Sequence, residues 1–301
     1  IADVSDPSRP ALVGDTRRLA DGATGPHLHG KTLYFSGFEN RPTLRIVDAA
    51  NPADPKLLSE WRVPATWFDS RRGGGSFAHR LGKYLVMPWA CATLDVSDPA
   101  APRLVGTLPD RDPYHQKVIA RGHYAYLTNY HRKPDRGLRV VSLRDPKQPK
   151  IVGKLNADCS GGYYFGRGVY LRGDYLYGVS YGPFFIVDVS DPTRPTLVSI
   201  TELRGFGSDC FINYPYAYVT MYYGGLNILD ISNPANPVLI DWVGYGGYQD
   251  EAGWDNLGCY QSVATYRGAA YITEYYTGLM TFDVPTPDQA PTGKLTVRSH
   301  R

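Results

Sequence analysis

The chain has 301 residues, with 32 Gly, 24 Pro and 24 Tyr against 3 Met, and a formal net charge of +3. A composition rich in turn formers and aromatics, with few long helix-forming runs, points to an all-β protein. The charge is small and no Lys/Arg-rich run concentrates it, so nucleic acid and anionic membranes are not expected partners. No apolar stretch approaches the ~18 residues of a membrane span. No polar linker or shift in composition divides the chain, and residues 1–301 read as a single domain. Ile1 stands where Met would open an unprocessed chain, as expected of a processed or trimmed protein.

One phrase recurs from end to end. It opens as Ala2-Asp3-Val4-Ser5-Asp6-Pro7, followed by Pro10-Ala11-Leu12-Val13-Gly14. It returns at Val47-Asp48-Ala49-Ala50-Asn51-Pro52, at Asp95-Val96-Ser97-Asp98-Pro99 with Leu104-Val105-Gly106, and at Ser142-Leu143-Arg144-Asp145-Pro146 with Ile151-Val152-Gly153. Val187-Asp188-Val189-Ser190-Asp191-Pro192 and Leu229-Asp230-Ile231-Ser232-Asn233-Pro234 follow, and Phe282-Asp283-Val284-Pro285 is a degenerate last copy. The step is about 45 residues throughout. Near-constant spacing of this length is the mark of a repeat architecture.

Each repeat holds four short β-like runs. In the third they are 116–120, 124–128, 138–141 and 150–153, with a turn at Arg121-Gly122 and an Asp-Pro turn between the last two. Proline presets φ there and Asp hydrogen-bonds its own backbone. Four strands per unit, each hiding its apolar faces only against its neighbours, make a propeller blade. Six complete sets predict six blades, with seven as the alternative if strands precede Ile1. The extra phrase at the N-terminus predicts that 10–14 forms the outer strand of the last blade and closes the ring against the strands of 271–281.

Arg45-Ile46-Val47-Asp48 and Phe185-Ile186-Val187-Asp188, with the Pro-x-Leu-Val-Gly phrases, resemble the LVIVD repeat family of bacterial, mostly exported β-propellers. The resemblance covers nearly the whole chain. It implies a propeller and a secreted, periplasmic or cell-surface location. It implies no single activity, because a propeller is a scaffold for many sites.

On a propeller, the loops joining second to third strands and those entering the inner strands share one face. The first set carries an aromatic in every repeat: Phe38, Trp89, Tyr130, Tyr181, Tyr222 with Tyr223, and Tyr275 with Tyr276. Tyrosine joins a flat apolar face to a polar tip, which suits stacking on sugars; the alternative is packing of loop on loop. The entering loops add Asp209 and Trp254 as candidate substrate contacts. They also hold His115 beside Tyr114, with Arg72 expected nearby. A histidine base, a tyrosine acid and a guanidinium for the carboxylate are what β-elimination from a uronic acid requires. Paired loop acids, Asp209, Glu251 and Asp255, would instead suit a glycoside hydrolase.

No cofactor is expected. His27 and His79 stand equally far before Gly30 and Gly82, so they occupy equivalent places in adjacent blades, and an ion shared by them is the one metal reading. The third repeat has Ile119 at that place and no His-rich motif accompanies the pair, so metal-free inner-strand histidines, hydrogen-bonded to backbone, are favoured over a metal. Cys91, Cys159, Cys210 and Cys259 lack CxxC spacing, which excludes a zinc ribbon or thioredoxin motif and leaves one or two disulfides or four thiols open. The functional expectation is an exported propeller that binds, and in its enzymatic form cleaves, a carbohydrate. Polysaccharide lyase is the favoured enzymatic reading, and a non-enzymatic interaction module is the rival.

Overall fold

The recurring phrase works as a hairpin device. Its first acid ends the third strand and its second starts a tight turn, so the backbone reverses into a fourth strand. Asp48, Asp95, Asp188 and Asp230 each accept a hydrogen bond from the amide two residues on, at 2.8–2.9 Å. Asn51, Asp98, Asp145 and Asn233 repeat the bond in the turn itself, at 2.9–3.1 Å. These are the Asx turns that the Asp/Asn-Pro spelling predicts. Ser190 holds Asp188 through both its hydroxyl and its amide and keeps that carboxyl below the usual range.

The computed structural model describes residues 1–16, 19, 23–37, 43–64, 78–88, 90–109, 115–129, 137–156, 165–243, 248–249, 255–256, 260–274, 278–284 and 297–298. The chain opens with β1 (Ala2–Asp3) and β2 (Ala11–Leu12). Blade 1 is β3 (Ala23–His29), β4 (Thr32–Gly37), β5 (Thr43–Asp48) and β6 (Lys56–Arg62). Blade 2 is β7 (His79–Leu81), β8 (Tyr84–Met87), β9 (Ala92–Asp95) and β10 (Arg103–Thr107). Blade 3 is β11 (His115–Arg121), β12 (Tyr124–Asn129), β13 (Gly137–Ser142) and β14 (Lys150–Asn156). Blade 4 is β15 (Gly168–Arg172), β16 (Tyr175–Val179), β17 (Pro183–Asp188) and β18 (Thr196–Glu202). Blade 5 is β19 (Phe206–Asn213), β20 (Tyr216–Tyr222), β21 (Gly225–Asp230) and β22 (Val238–Val243). A short pair, β23 (Tyr248–Gln249) and β24 (Asp255–Asn256), precedes blade 6: β25 (Tyr260–Tyr266), β26 (Ala269–Glu274), β27 (Gly278–Asp283) and β28 (Val297–Arg298).

Every blade is an antiparallel meander in chain order, so the fold is a β-propeller of six four-stranded blades. The described residues contain no helix, and so none long and apolar enough to cross a membrane. Two compact units divide the chain. Ile1–Asp3, Ala11–Asn156 and Pro192–Arg194 form one, with blades 1 to 3; Val4–Pro10, Ala157–Asp191 and Pro195–Arg301 form the other, with blades 4 to 6.

Within each unit the core lies between blades. Tyr34, Leu44 and Ile46 of blade 1 pack on Leu85, Met87 and Leu94 of blade 2. Phe184 and Ile186 of blade 4 pack on Ala217, Val219 and Leu229 of blade 5. The third strands of blades 3, 4 and 5 are buried on both faces, which is why they do not alternate apolar with polar, although Arg139 and Asn227 sit within two of them.

The Leu-Val-Gly spelling of the fourth strand has a structural cause. In blades 1 to 5 the middle residue of that phrase (Leu58, Val105, Val152, Val198 or Ile240) is an extra residue in the ladder, a β-bulge. In blades 1, 2 and 4 the residue after it meets the next blade's turn. A Cβ on Gly106 would stand 2.2 Å from the Pro146 carbonyl oxygen. Where serine takes the place, Ser59 donates to the Pro99 carbonyl at 2.6 Å and Ser199 to that of Pro234 at 2.7 Å. Ser59→Ala is expected to cost about 1 kcal/mol, read as a lower urea midpoint at unchanged slope.

The expected N-terminal outer strand does not form. Ala11 and Leu12 pair with Asp3 and Ala2, and the Ile1 ammonium donates to the Gly14 carbonyl at 2.8 Å. The outer strand of blade 6 is β28, with Arg298 opposite Thr281 and Val297 opposite Phe282. The N-terminal phrase carries its own Asp-Pro turn, with Ser8 amide on Asp6 at 2.9 Å, so a short local hairpin satisfies its ladder first. Its link to blade 6 is a side-chain bond, the Tyr271 hydroxyl donating to the Val4 carbonyl at 3.4 Å.

Cys91 and Cys210 are buried and not disulfide-bonded, which excludes a two-disulfide arrangement; Cys159 and Cys259 lie outside the described residues.

Candidate functional site

Three of the aromatics singled out by loop position come together in the second unit, joined by one that was not. Tyr181 occupies the turn between β16 and β17, closed by Ser180 donating to Pro183 at 2.8 Å. The Gly207 amide donates to the Ser180 carbonyl at 2.9 Å and draws the entry of β19 onto that turn. Phe206, the first residue of β19, therefore meets Tyr181 edge to face, with ring centroids 4.7 Å apart and planes at 68°. Phe206 pairs across the ladder with Tyr222. Its ring reaches Tyr223 at 6.2 Å, and Tyr223 meets Tyr222 at 4.5 Å, both edge to face. The result is a ridge in the order Tyr181, Phe206, Tyr223, Tyr222.

The backbone beneath the ridge is unusually tight. A Cβ on Gly224 would lie 1.9 Å from the Arg204 carbonyl oxygen, and one on Gly205, at φ +99°, would lie 2.7 Å from that of Tyr222. Only glycine lets the two segments cross so closely. Tyr223 itself has φ +65°, a left-handed conformation that a bulky L-residue adopts at a cost of order 1–3 kcal/mol. None of the four rings is buried, and Phe206 is 43% exposed. The rings pack on one another between blades 4 and 5 and remain partly exposed.

Asp209 lies three residues further along β19, past a bulge. Its amide donates to the Thr220 hydroxyl at 3.1 Å, and the same hydroxyl sits 3.2 Å from its carbonyl. Similar bulges interrupt the entry of β3, β11 and β25. His115 opens β11 opposite Asn129, but its side chain lies outside the described residues. So do Tyr114, Arg72, Trp89, Tyr130, Tyr275, Trp254 and Glu251, and the side chain of Asp255. The side chains of the lyase trio and, apart from Asp209, of the candidate carboxylates therefore lie outside the described residues.

His27 and His79 do face each other across blades 1 and 2, with ring centroids 4.5 Å apart. Tyr170 and Phe211 hold the equivalent places in blades 4 and 5 and meet at 5.1 Å. The place is thus one where neighbouring inner strands pack side chain on side chain. Among the described residues no three His, Cys, Asp or Glu stand together to hold an ion.

Phe206 escaped the reading by loop position because it begins a strand rather than ending one. Its signal was local: an aromatic between two glycines, Gly205 and Gly207, three residues before Asp209.

The LVIVD repeat family matches residues 1–17, 92–110, 166–202 and 208–243. No curated protein matches the chain by sequence. Among solved structures, it resembles a protein provisionally described as a 6-phosphogluconolactonase from Bacteroides uniformis, at 12% identity and TM-score 0.62 over 91% of this chain and 84% of that one. The β-propeller domain of Cps50 (Swd1) from Myceliophteria thermophila gives 12% identity and TM-score 0.60 over 91% and 85%. BamB from Moraxella catarrhalis gives 13% and 0.50 over 85% and 67%. Likenesses at this identity speak for the fold alone. The chain is a β-propeller in which four stretches match the LVIVD repeat.

Proposed function

We propose that this propeller binds a carbohydrate on the ridge formed by Tyr181, Phe206, Tyr223 and Tyr222, as an exported protein. The observation that carries the reading is the ridge itself: four partly exposed rings in one edge-to-face chain, with Tyr223 held at φ +65°. The four rings are partly exposed, Phe206 most of all at 43%. Sugar rings offer a flat C–H face to stack on such surfaces, and the tyrosine hydroxyls can meet the sugar's own hydroxyls. Backbone strain of this kind persists where a site needs a side chain in a particular place.

The test is calorimetric titration with a panel of neutral and acidic oligosaccharides. Phe206→Ala and Tyr222→Ala are each expected to weaken the best ligand about tenfold, or ~1.4 kcal/mol, with melting nearly unchanged. Failure of every glycan to bind, or binding by both variants as tight as by the unaltered protein, would overturn the reading. Incubating the bound glycan with the protein adds a second readout. An unsaturated product absorbing in the ultraviolet would extend binding to β-elimination, for which His115, Tyr114 and Arg72 are the residues to replace.

A further inference from the structure

We propose that the facing imidazoles of His27 and His79 make the seam between blades 1 and 2 an acid-operated release, while the corresponding seam between blades 4 and 5 stays shut. The argument begins with geometry. His27 on β3 and His79 on β7 lie 4.5 Å apart between ring centroids, with planes tilted at 44°. Two imidazoles this close can pack as neutral rings but repel as cations. The charged and titratable groups acting on them make a second positive charge harder to place. His29 acts on both imidazoles and Arg80 on His27. The Arg80 guanidinium lies 5.6 Å from the Tyr34 ring centroid, and its Nη1 donates to the Tyr34 hydroxyl at 2.5 Å. From β11 comes one opposing influence, a hydrogen bond between His79 and the backbone of Ala120. Tyr34 stays neutral across the acid range, burial pushing its hydroxyl above the usual value.

Burial is the largest influence on both histidines. It pushes His79 down to about 4, with His27 adding to the effect, and it lowers His27 in turn. A histidine released to solvent takes its proton near 6.5. The sign follows from linkage: between those two values the opened form binds more protons than the closed one. The seam is therefore at full strength above pH 6.5 and weakens as pH falls towards 4, below which both forms are protonated and the loss stops growing. The molecule carries its own comparison, because Tyr170 and Phe211 fill the same inner-strand places in blades 4 and 5. Neither of those side chains gains a charge in this range.

Hydrogen exchange resolved by segment tests the proposal on the intact chain. Between pH 7 and pH 4.5, after correction for the intrinsic rate, the opening constant of amides in β4, β7 and β8 is expected to rise on the order of 50-fold. Amides of β16, β19 and β20 should show no such rise. The double variant His27→Tyr, His79→Phe copies the blade 4–5 pair and should remove the difference between the two seams. Parallel loss of protection in both seams of the unaltered protein would overturn the proposal, as would an unchanged pH response in the double variant. Should that variant fail to fold, His79→Phe alone is expected to remove most of the response. The comparison of seams within the unaltered chain remains decisive in any case.

Discussion

Gly106→Ala is expected to destabilise the protein by about 3 kcal/mol, far more than a one-carbon change on an outer strand usually costs. The reason is the bulge at Val105. It turns the next residue towards blade 3, where a Cβ would sit 2.2 Å from the Pro146 carbonyl oxygen and 3.1 Å from that of Lys147. Both obstacles are backbone, within an Asx turn already fixed by the Lys147 amide on Asp145 at 3.0 Å. Neither can swing aside as a side chain would. Relief requires blade 2 to move away from blade 3, opening the contact of Val86 and Cys91 with Val118, Leu127 and Val141. Melting should fall by about 6 °C. Gly106→Ser should do no better, because the Ser59 arrangement exists only where the backbones already stand further apart. A loss below about 1 kcal/mol for Gly106→Ala would show that the turn yields, and that the Leu-Val-Gly spelling is not a packing requirement.

Phe185→Ala should cost about 3–5 kcal/mol, at the upper end for single core substitutions. Phe185 is fully buried and stacks on Phe165 with centroids 4.4 Å apart and planes at 27°. Its cross-strand partner is Gly178, and a Cβ built on Gly178 would fall 2.2 Å from the Phe185 ring. The ring therefore fills the space of two side chains. Truncation leaves a cavity that Gly178 has nothing to fill. Phe206→Ala is the matched control, since its ring is partly in water and its loss should stay within about 0.5 kcal/mol. Chemical denaturation of both variants separates the cases. If Phe185→Ala proved as mild as Phe206→Ala, the third strands of the second unit would not be packed as described.

The same third-strand place shows how far a repeat can be read. Counting back three residues from the strand's end gives Arg45, Arg139, Phe185 and Asn227. The period predicts that all four lie on equivalent strands. Their chemistry is resolved locally. Arg45 bonds Glu60 at 2.9 Å, and Arg139, though buried, reaches the Asn156 side chain at 3.2 Å. Asn227 donates to the Gly224 carbonyl at 3.2 Å, and Phe185 covers a glycine. Each solution depends on what the adjoining strand or loop offers, and no periodicity in the chain carries that.

The sequence by itself determined the blade count, the four-stranded unit and the Asp-Pro hairpins. All three follow from short-range patterns: turn chemistry spans a few residues, and each turn pairs strands that are neighbours in the chain. It also showed that aromatics recur at one loop position, and that His27 and His79 occupy equivalent places. Tertiary structure alone decided which strand ends blade 6, because Ala11 and Leu12 could pair with a distant strand or with Ala2 and Asp3, and the local hairpin closes the shorter loop. It alone joined Phe206 to Tyr181, Tyr222 and Tyr223. That contact depends on the Gly207–Ser180 hydrogen bond between two blades and on backbones that cross where only glycine fits, and such distances are set by packing between repeats rather than by the pattern within one.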